Sequence, residues 1–305
     1  MASSDRLKLR HLQGLVAVAE NGSLVRAAAA MSVTQPAVSK MLAELEDIVG
    51  QRLLDRTRQG VVLTTPGRTL LRYAGSSLRT LREGLDAIAR DRIDTPSVRI
   101  GALPNVAATV LPPALHTFAG AHPRARLHVR TGSNAQLIGL LRQGELDLVV
   151  GRLSEPSDMA GLSFEQLYTE VLVFVVRPGH ALARRRHLEP AVLANWRLVL
   201  PDAGTRVREA ADHFFMTAGL GLPDPPMETI DVSFGRSFIL QSDAVWCVPL
   251  GAVTHELQHG RLARLKLDTS QTAGPVGLTL RADRRVPEEL HEVLDAIRRS
   301  AAAQT

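Results

Sequence analysis

Three residues, Ser32-Val33-Thr34, separate two stretches whose apolar residues recur at helical spacing, and this short break constrains the chain more than any other feature. Before it, Leu24, Ala27, Ala28 and Met31 mark one face of a helix that Ser23 can cap. After it, Thr34 can cap a helix with Pro36 in its first turn, where a missing N–H costs nothing. Val38, Leu42, Leu45 and Val49 form that helix's apolar face, and Gly50 ends it. An earlier stretch carries Leu9, Leu12, Val16 and Ala19 on one face and stops at Asn21-Gly22. Two helices joined so tightly and packed on a third describe a helix-turn-helix. The last helix of that motif enters the major groove, and residues near its start meet base edges. Gln35 can bond adenine bidentately, Ser39 can bond a base or a phosphate, and Lys40 favours guanine or phosphate.

The segment after Gly50 extends the pattern. Residues 53–58 and 61–64 read as short strands around Gln59-Gly60, with Arg56 and Arg58 on a basic hairpin placed to grip phosphates as a wing. Thr65-Pro66-Gly67 opens a long helix reaching about Arg92. Along it Leu71, Ala74, Leu78, Leu81, Leu85 and Ile88 follow alternating steps of three and four, a seam suited to a second copy of the chain. The same residues could instead pack that helix on its own domain. Charge agrees with the nucleic-acid reading: residues 1–92 hold 14 Lys/Arg against 9 Asp/Glu, so the formal charge of +5 sits entirely in the first third.

The remainder alternates strand and helix signals. Strands are expected at 98–101, 127–130, 146–150, 171–176, 197–200, 245–248 and 276–280, with helices at 105–119, 136–143, 207–218 and 288–299. That alternation predicts a parallel α/β sheet in each of two lobes, with the terminal helix returning to one of them. In such sheets ligands bind beyond the carboxyl ends of strands, against helix starts. The loops so placed hold Pro104 and Asn105, Ser133 and Asn134, Arg152, Thr205, and Ser233 with Phe234. The expected domains are a DNA-binding domain at 1–64, a linker helix at 65–94 and a ligand-binding domain at 95–305. Its first lobe covers about 95–164 and 268–300, and its second about 165–267.

Other classes fit less well. A single Cys247 excludes an internal disulfide framework, and its apolar neighbours mark it as a small core residue rather than a redox sensor. No apolar run reaches the roughly 18 residues of a membrane span. The charged amino terminus lacks a signal-peptide core, so a soluble cytoplasmic protein is expected, and a secreted solute-binding protein is disfavoured. His255-Glu256-Leu257-Gln258-His259 matches the HExxH pattern of zinc peptidases, but Gly260 ends its helix and no third ligand stands nearby. No nucleophile triad or phosphate-binding loop is evident, so no enzyme, cofactor or metal is expected.

The strings Ser32 to Lys40 (SVTQPAVSK), Leu53-Leu54-Asp55-Arg56, LTTPG at 63–67, HPRARLHV at 122–129 and GELDLVVGR at 144–152 resemble the LysR-type transcriptional regulators over nearly the whole chain. The resemblance implies a winged helix-turn-helix with a long linker helix, then a two-lobed α/β effector domain like a periplasmic binding protein. It implies operator DNA, a small-molecule effector, further copies of the chain and RNA polymerase as partners. Activation of transcription, with tetramers passing lobe movement to DNA bending, is the family's usual outcome. Thr34, Gln35, Pro36, Ser39 and Lys40 then match the DNA-contacting start of the recognition helix, and Arg56 and Arg58 the wing. Ser133 matches the hydroxyl that receives effector carboxylates. Pro104, Asn105, Asn134, Arg152, Thr205, Arg208, Ser233 and Phe234 match positions in or near the interlobe cleft. Leu54 stands where the family usually has Phe, and Ala29 where an acidic residue is common, which touches packing detail only. GALP at 101–104, MAGLSFEQLY at 159–168, SFGR at 233–236, SDAVW at 242–246 and GPVGLTLRAD at 274–283 are closest to the regulators of protocatechuate catabolism (the pca operon). The galactose-binding-protein regulators, which answer to sugars, share much of this pattern. A ring-cleavage acid such as a carboxymuconate is the expected effector, with a sugar as the alternative.

Overall fold

The computed structural model describes residues 6–57, 60–89, 97–221, 226–282 and 286–303. The chain divides into two compact units, one of Met1–Thr95 with Arg142–Glu145 and one of Pro96–Leu141 with Leu146–Thr305. No described helix is long and apolar enough to cross a membrane.

In the first unit α1 (Leu9–Asn21), α2 (Leu24–Ala30) and α3 (Gln35–Val49) are followed by a hairpin of β1 (Leu54–Thr57) and β2 (Gly60–Leu63), then α4 (Thr65–Ala89). The break between α2 and α3 turns through Ser32, whose φ of 55° is the only positive value on a described non-glycine residue. Leu15, Val18, Ala27, Val38, Leu42, Leu45 and Leu53 form the core. The face of α1 differs from expectation. His11, Leu15 and Val18 point into the core, while Leu9 is exposed and Leu12, Val16 and Ala19 are only half-buried. The helix carries two apolar stripes, and Val16 and Ala19 lie beside Leu71 and Leu78 of α4. Sequence spacing alone shows both stripes but not which one meets the larger core. His11 fits a core because both ring nitrogens are bonded, Nδ1 accepting from the Lys8 N–H at 3.2 Å and Nε2 meeting Glu44 Oε2 at 2.9 Å.

Leu53, Leu54, Val61 and Leu63 pack the wing on the core, and polar groups fix its position further. Glu46 Oε1 accepts the N–H groups of Leu53 at 2.7 Å and Leu54 at 3.2 Å. The Thr64 hydroxyl donates to Arg52 O at 2.7 Å and accepts the Gly67 N–H at 3.0 Å, so Thr64 caps α4, which opens at Thr65 as expected. Gly67 is required there, because a Cβ would lie 2.0 Å from Leu53 O.

The second unit holds two five-stranded sheets. Lobe I contains β3 (Ser97–Ala102), β4 (Arg126–Thr131), β5 (Leu148–Arg152), β6 (Leu162–Glu170) and a strand from the chain's end, β12 (Gly274–Arg281), in the order β4-β3-β5-β12-β6. Its helices are α5 (Pro104–Ala108), α6 (Leu111–Ala121), α7 (Asn134–Arg142) and the terminal α11 (Glu288–Ala302), which packs on α6. Lobe II contains β7 (Leu172–Val176), β8 (Leu198–Leu200), β9 (Met227–Glu228), β10 (Val245–Pro249) and β11 (Ala263–Arg264) in the order β11-β7-β10-β8-β9, with α8 (Arg206–Thr217), α9 (Val232–Leu240) and α10 (Thr254–Gln258). Neither sheet is purely parallel: β12 runs antiparallel to β5 and β6, and β7 antiparallel to β10. The sheets exchange chain at two crossovers, after Glu170 and before Gly274, so residues 165–170 belong to lobe I. The single helix expected at 105–119 is two, since Pro112 and Pro113 cannot donate N–H groups and instead open α6 within its first turn.

Candidate nucleic-acid interface and ligand cleft

The start of α3 is open. Gln35, Pro36 and Lys40 are exposed and Ser39 is half-buried, while Val38 and Leu42 anchor the opposite side in the core. Thr34 is exposed and its side chain makes no cap bond, so backbone geometry alone starts the helix. Arg56 lies on β1 opposite Val61; its side chain, and Arg58 as a whole, lie outside the described residues. Along α4 the expected seam divides. Ala74 and Leu78 are buried and Leu71 is half-buried, whereas Leu81 and Leu85 are 45% and 59% exposed. The Ile88 side chain is outside the described residues. The amino-terminal half of the seam therefore serves its own unit, and the free apolar surface begins at Leu81.

The two lobes of the second unit flank a narrow cleft of about 60 Å³ that opens to solvent. Of the nine expected residues, Pro104, Asn105, Ser133, Asn134, Arg152 and Thr205 line it. Arg208, Ser233 and Phe234 do not. Arg208 is turned into lobe II, where its Nη1 donates to Pro201 O and Glu228 Oε1 and its Nε to Asp212 Oδ1. Those carboxylates keep its guanidinium more basic than usual against the opposing effect of burial. Ser233 and Phe234 are exposed because α9 begins two residues earlier, capped by Asp231, whose Oδ1 accepts the Phe234 N–H at 2.8 Å. Val232 lines the cleft instead. Either Asp231 or Ser233 could cap a helix, and only packing decides between them.

Several lining residues carried no signal in the pattern of strand-end loops: Arg206, Thr229, Ile230, Trp246, Cys247 and Val248. Thr229 and Ile230 follow β9, a two-residue strand too short to show in sequence. Trp246 to Val248 form part of the fully apolar β10, whose carboxyl end was a readable signal. Burial pushes the Cys247 thiol up to about 12, so it is inert wall rather than a nucleophile.

The polar groups of the cleft are unequally spent. Ser133 and Gln136 form a reciprocal cap on α7, with Gln136 Oε1 accepting the Ser133 N–H at 3.1 Å and Ser133 Oγ accepting the Gln136 N–H at 3.4 Å. The Ser133 hydroxyl proton and the N–H groups of Asn134 and Ala135 remain for an occupant. Thr205 is fully engaged, donating to Asp202 O and accepting from the Arg208 N–H. Asn105 Nδ2 donates to Glu170 Oε2 at 2.5 Å. Arg152, 6% exposed, donates from Nη2 to Glu170 O at 3.0 Å and to Thr272 O at 3.5 Å, which ties together the two crossover segments. Its Nε has no partner among the described residues, and neither has Asn134 Oδ1. Burial lowers the Arg152 pKa and raises that of Glu170, whose Oε1 accepts the Gly251 N–H from lobe II at 2.9 Å. Among the described residues the lining contains two arginines, Arg152 and Arg206, and no carboxylate. Such a lining favours an anion over a cation.

In the HExxH segment Glu256 Oε1 lies 3.9 Å from His255 Nδ1 but is held closer by an arginine. Glu256 is buried with its Oε1 2.8 Å from Arg236 Nε, and no group of three or more potential metal ligands exists among the described residues.

Comparison with known proteins agrees with both halves. The family model described as "Bacterial regulatory helix-turn-helix protein, lysR family" matches residues 9–68, and "LysR substrate binding domain" matches residues 93–302. The HTH-type transcriptional regulator PcaQ of Agrobacterium fabrum is 39% identical over 97% of this chain and 96% of its own. The HTH-type transcriptional regulator GbpR of Azospirillum brasilense is 32% identical over 79% of this chain and 71% of its own. Among solved structures, full-length CbnR complexed with its target DNA aligns with a TM-score of 0.60 at 22% identity, covering 96% of this chain and all of that one, a likeness of fold.

Proposed function

This chain belongs to the LysR family of bacterial transcriptional regulators, a DNA-binding family rather than an enzyme family, and from that premise we propose that it activates an aromatic-acid catabolic operon in response to a small organic acid. The acid sits in the interlobe cleft, and the proposed acid is a ring-cleavage product such as a carboxymuconate; the 39% identical relative named PcaQ supports the aromatic-acid part of the reading. One observation carries the reading: Arg152 lines the cleft with an unbonded Nε while its Nη2 holds both crossover segments. An anion that bonds Arg152 thereby acts on the hinge between lobes. Its effect on the lobe equilibrium equals its differential affinity for the two arrangements. A sugar is the second reading, supported by the relative named GbpR. The cleft disfavours it, because neutral polyols gain from carboxylate acceptors and the lining has none among the described residues.

On the DNA side, Thr34, Gln35, Pro36, Ser39 and Lys40 read the major groove and Arg56 and Arg58 hold the backbone. Leu81 and Leu85 seat against a second copy, which supplies the other half-site.

A thermal-shift screen of the purified chain with protocatechuate, carboxymuconates, benzoates, galactose and arabinose tests the reading. A ligand at a hundred times its Kd adds about 2.7 kcal/mol, or roughly 5 °C or more for a unit of this size. A shift with a carboxymuconate that shrinks in Ser133→Ala is the expected result. Shifts with sugars alone would reject the acid.

A further inference from the structure

We infer that Arg206 is a second anion receptor of the cleft, that Glu155 is its resident anion, and that the ligand therefore carries at least two carboxylates, one of which displaces Glu155. The inference deepens the acid reading and rests on it. Arg206 opens α8 in lobe II and lines the cleft, whereas Arg152 ends β5 in lobe I, so the two cations reach the cleft from opposite lobes. Glu155 stands three residues beyond Arg152, on the lobe I segment before β6, and its Oε1 pairs with Arg206 Nη1. That ion pair joins the lobes at the edge of the cleft. Glu209, one turn along α8, shares the same Nη1 at 2.5 Å. Nη2 and Nε of Arg206 make no bond among the described residues, so Glu155 and Glu209 crowd one nitrogen and Glu155 is held there by a single contact that a ligand carboxylate bonding two nitrogens can replace. The pair is partly exposed on both sides, at 42% for Arg206 and 51% for Glu155, and exposed ion pairs exchange readily for a better partner. The buried Arg152, with its unbonded Nε, supplies the stronger and first contact. A molecule with one carboxylate satisfies Arg152 and the start of α7 and leaves the Glu155–Arg206 pair intact. A molecule with two replaces that pair and couples both lobes to itself.

Calorimetric titration of the full chain with 3-carboxy-cis,cis-muconate and with sorbate, a six-carbon diene bearing one carboxylate, separates the possibilities. Wild type is expected to bind the carboxymuconate, which has two carboxylates more than sorbate, at least about tenfold more tightly, the worth of the one added charge-assisted contact at Arg206. Arg206→Gln should remove most of that preference by weakening the carboxymuconate alone. Glu155→Gln, which removes the competitor from lobe I and leaves Glu209 in place, should tighten the carboxymuconate a few-fold and leave sorbate unchanged. Equal weakening of both acids in Arg206→Gln, or no tightening in Glu155→Gln, overturns the inference while leaving the acid reading in place. Binding of sugars but of neither acid overturns the reading itself, and the inference falls with it.

Discussion

Gly67→Ala is expected to cost the DNA-binding unit about 2–3 kcal/mol, because the new Cβ would lie 2.0 Å from Leu53 O and backbone must give way. Leu53 is fully buried in the core, and its N–H and that of Leu54 are held by Glu46 of the recognition helix. Its carbonyl also accepts the Thr64 N–H. Strain at this point therefore spreads to α3, the wing and the start of α4 together. For a unit of fewer than a hundred residues the loss amounts to roughly 10–20 °C in Tm. Calorimetry should show one transition moved and the ligand-binding unit's transition retained. Gly67→Ser should behave alike, since any Cβ meets the same carbonyl. Wild-type stability in Gly67→Ala would contradict the packing described for the wing.

Gln35→Ala is expected to lower discrimination between operator and random DNA by about 1–3 kcal/mol while leaving the fold untouched. The residue is exposed at the start of α3 and outside the core cluster, so its loss leaves no cavity. Arg56→Ala should instead weaken both DNAs alike and reduce the salt dependence by about one counterion, as the loss of a phosphate contact does. Anisotropy titrations at several salt concentrations separate the two effects. Parallel loss on both DNAs in Gln35→Ala would remove this glutamine from base reading.

The recognition helix was legible because several independent signals agree on it. Pro36 fixes its first turn, Gly50 takes the left-handed conformation at its end, and Val38, Leu42 and Leu45 fall on one buried face. Where two choices were locally equivalent, the sequence left them open. His11 is polar by composition but becomes a core residue once Lys8 and Glu44 satisfy its ring. Asp231 rather than Ser233 caps α9, and that two-residue offset exchanges Phe234 for Val232 in the cleft. Arg208 is a helix-start arginine like Arg206, yet Glu228 and Asp212 draw it away from the cleft. The antiparallel pairing of β12 with β5 and β6 joins segments more than a hundred residues apart, which local periodicity does not encode. The loops at strand ends hold Ser133, Asn134 and Arg152, which line the cleft, while Trp246, Cys247 and Val248 of its apolar wall come from inside β10.

The central claim is that an acid held in the cleft changes how the chain holds DNA. It is tested most directly by titrating full-length protein onto an operator fragment, selected in vitro and labelled at both ends, with and without saturating 3-carboxy-cis,cis-muconate. The account predicts a change in the end-to-end distance or the affinity of the operator complex, and by linkage the same fold-change in the acid's affinity when operator is present. It also predicts that Ser133→Ala needs more acid for the same response. An acid that binds the cleft yet alters neither the bend nor the affinity of the complex would contradict it.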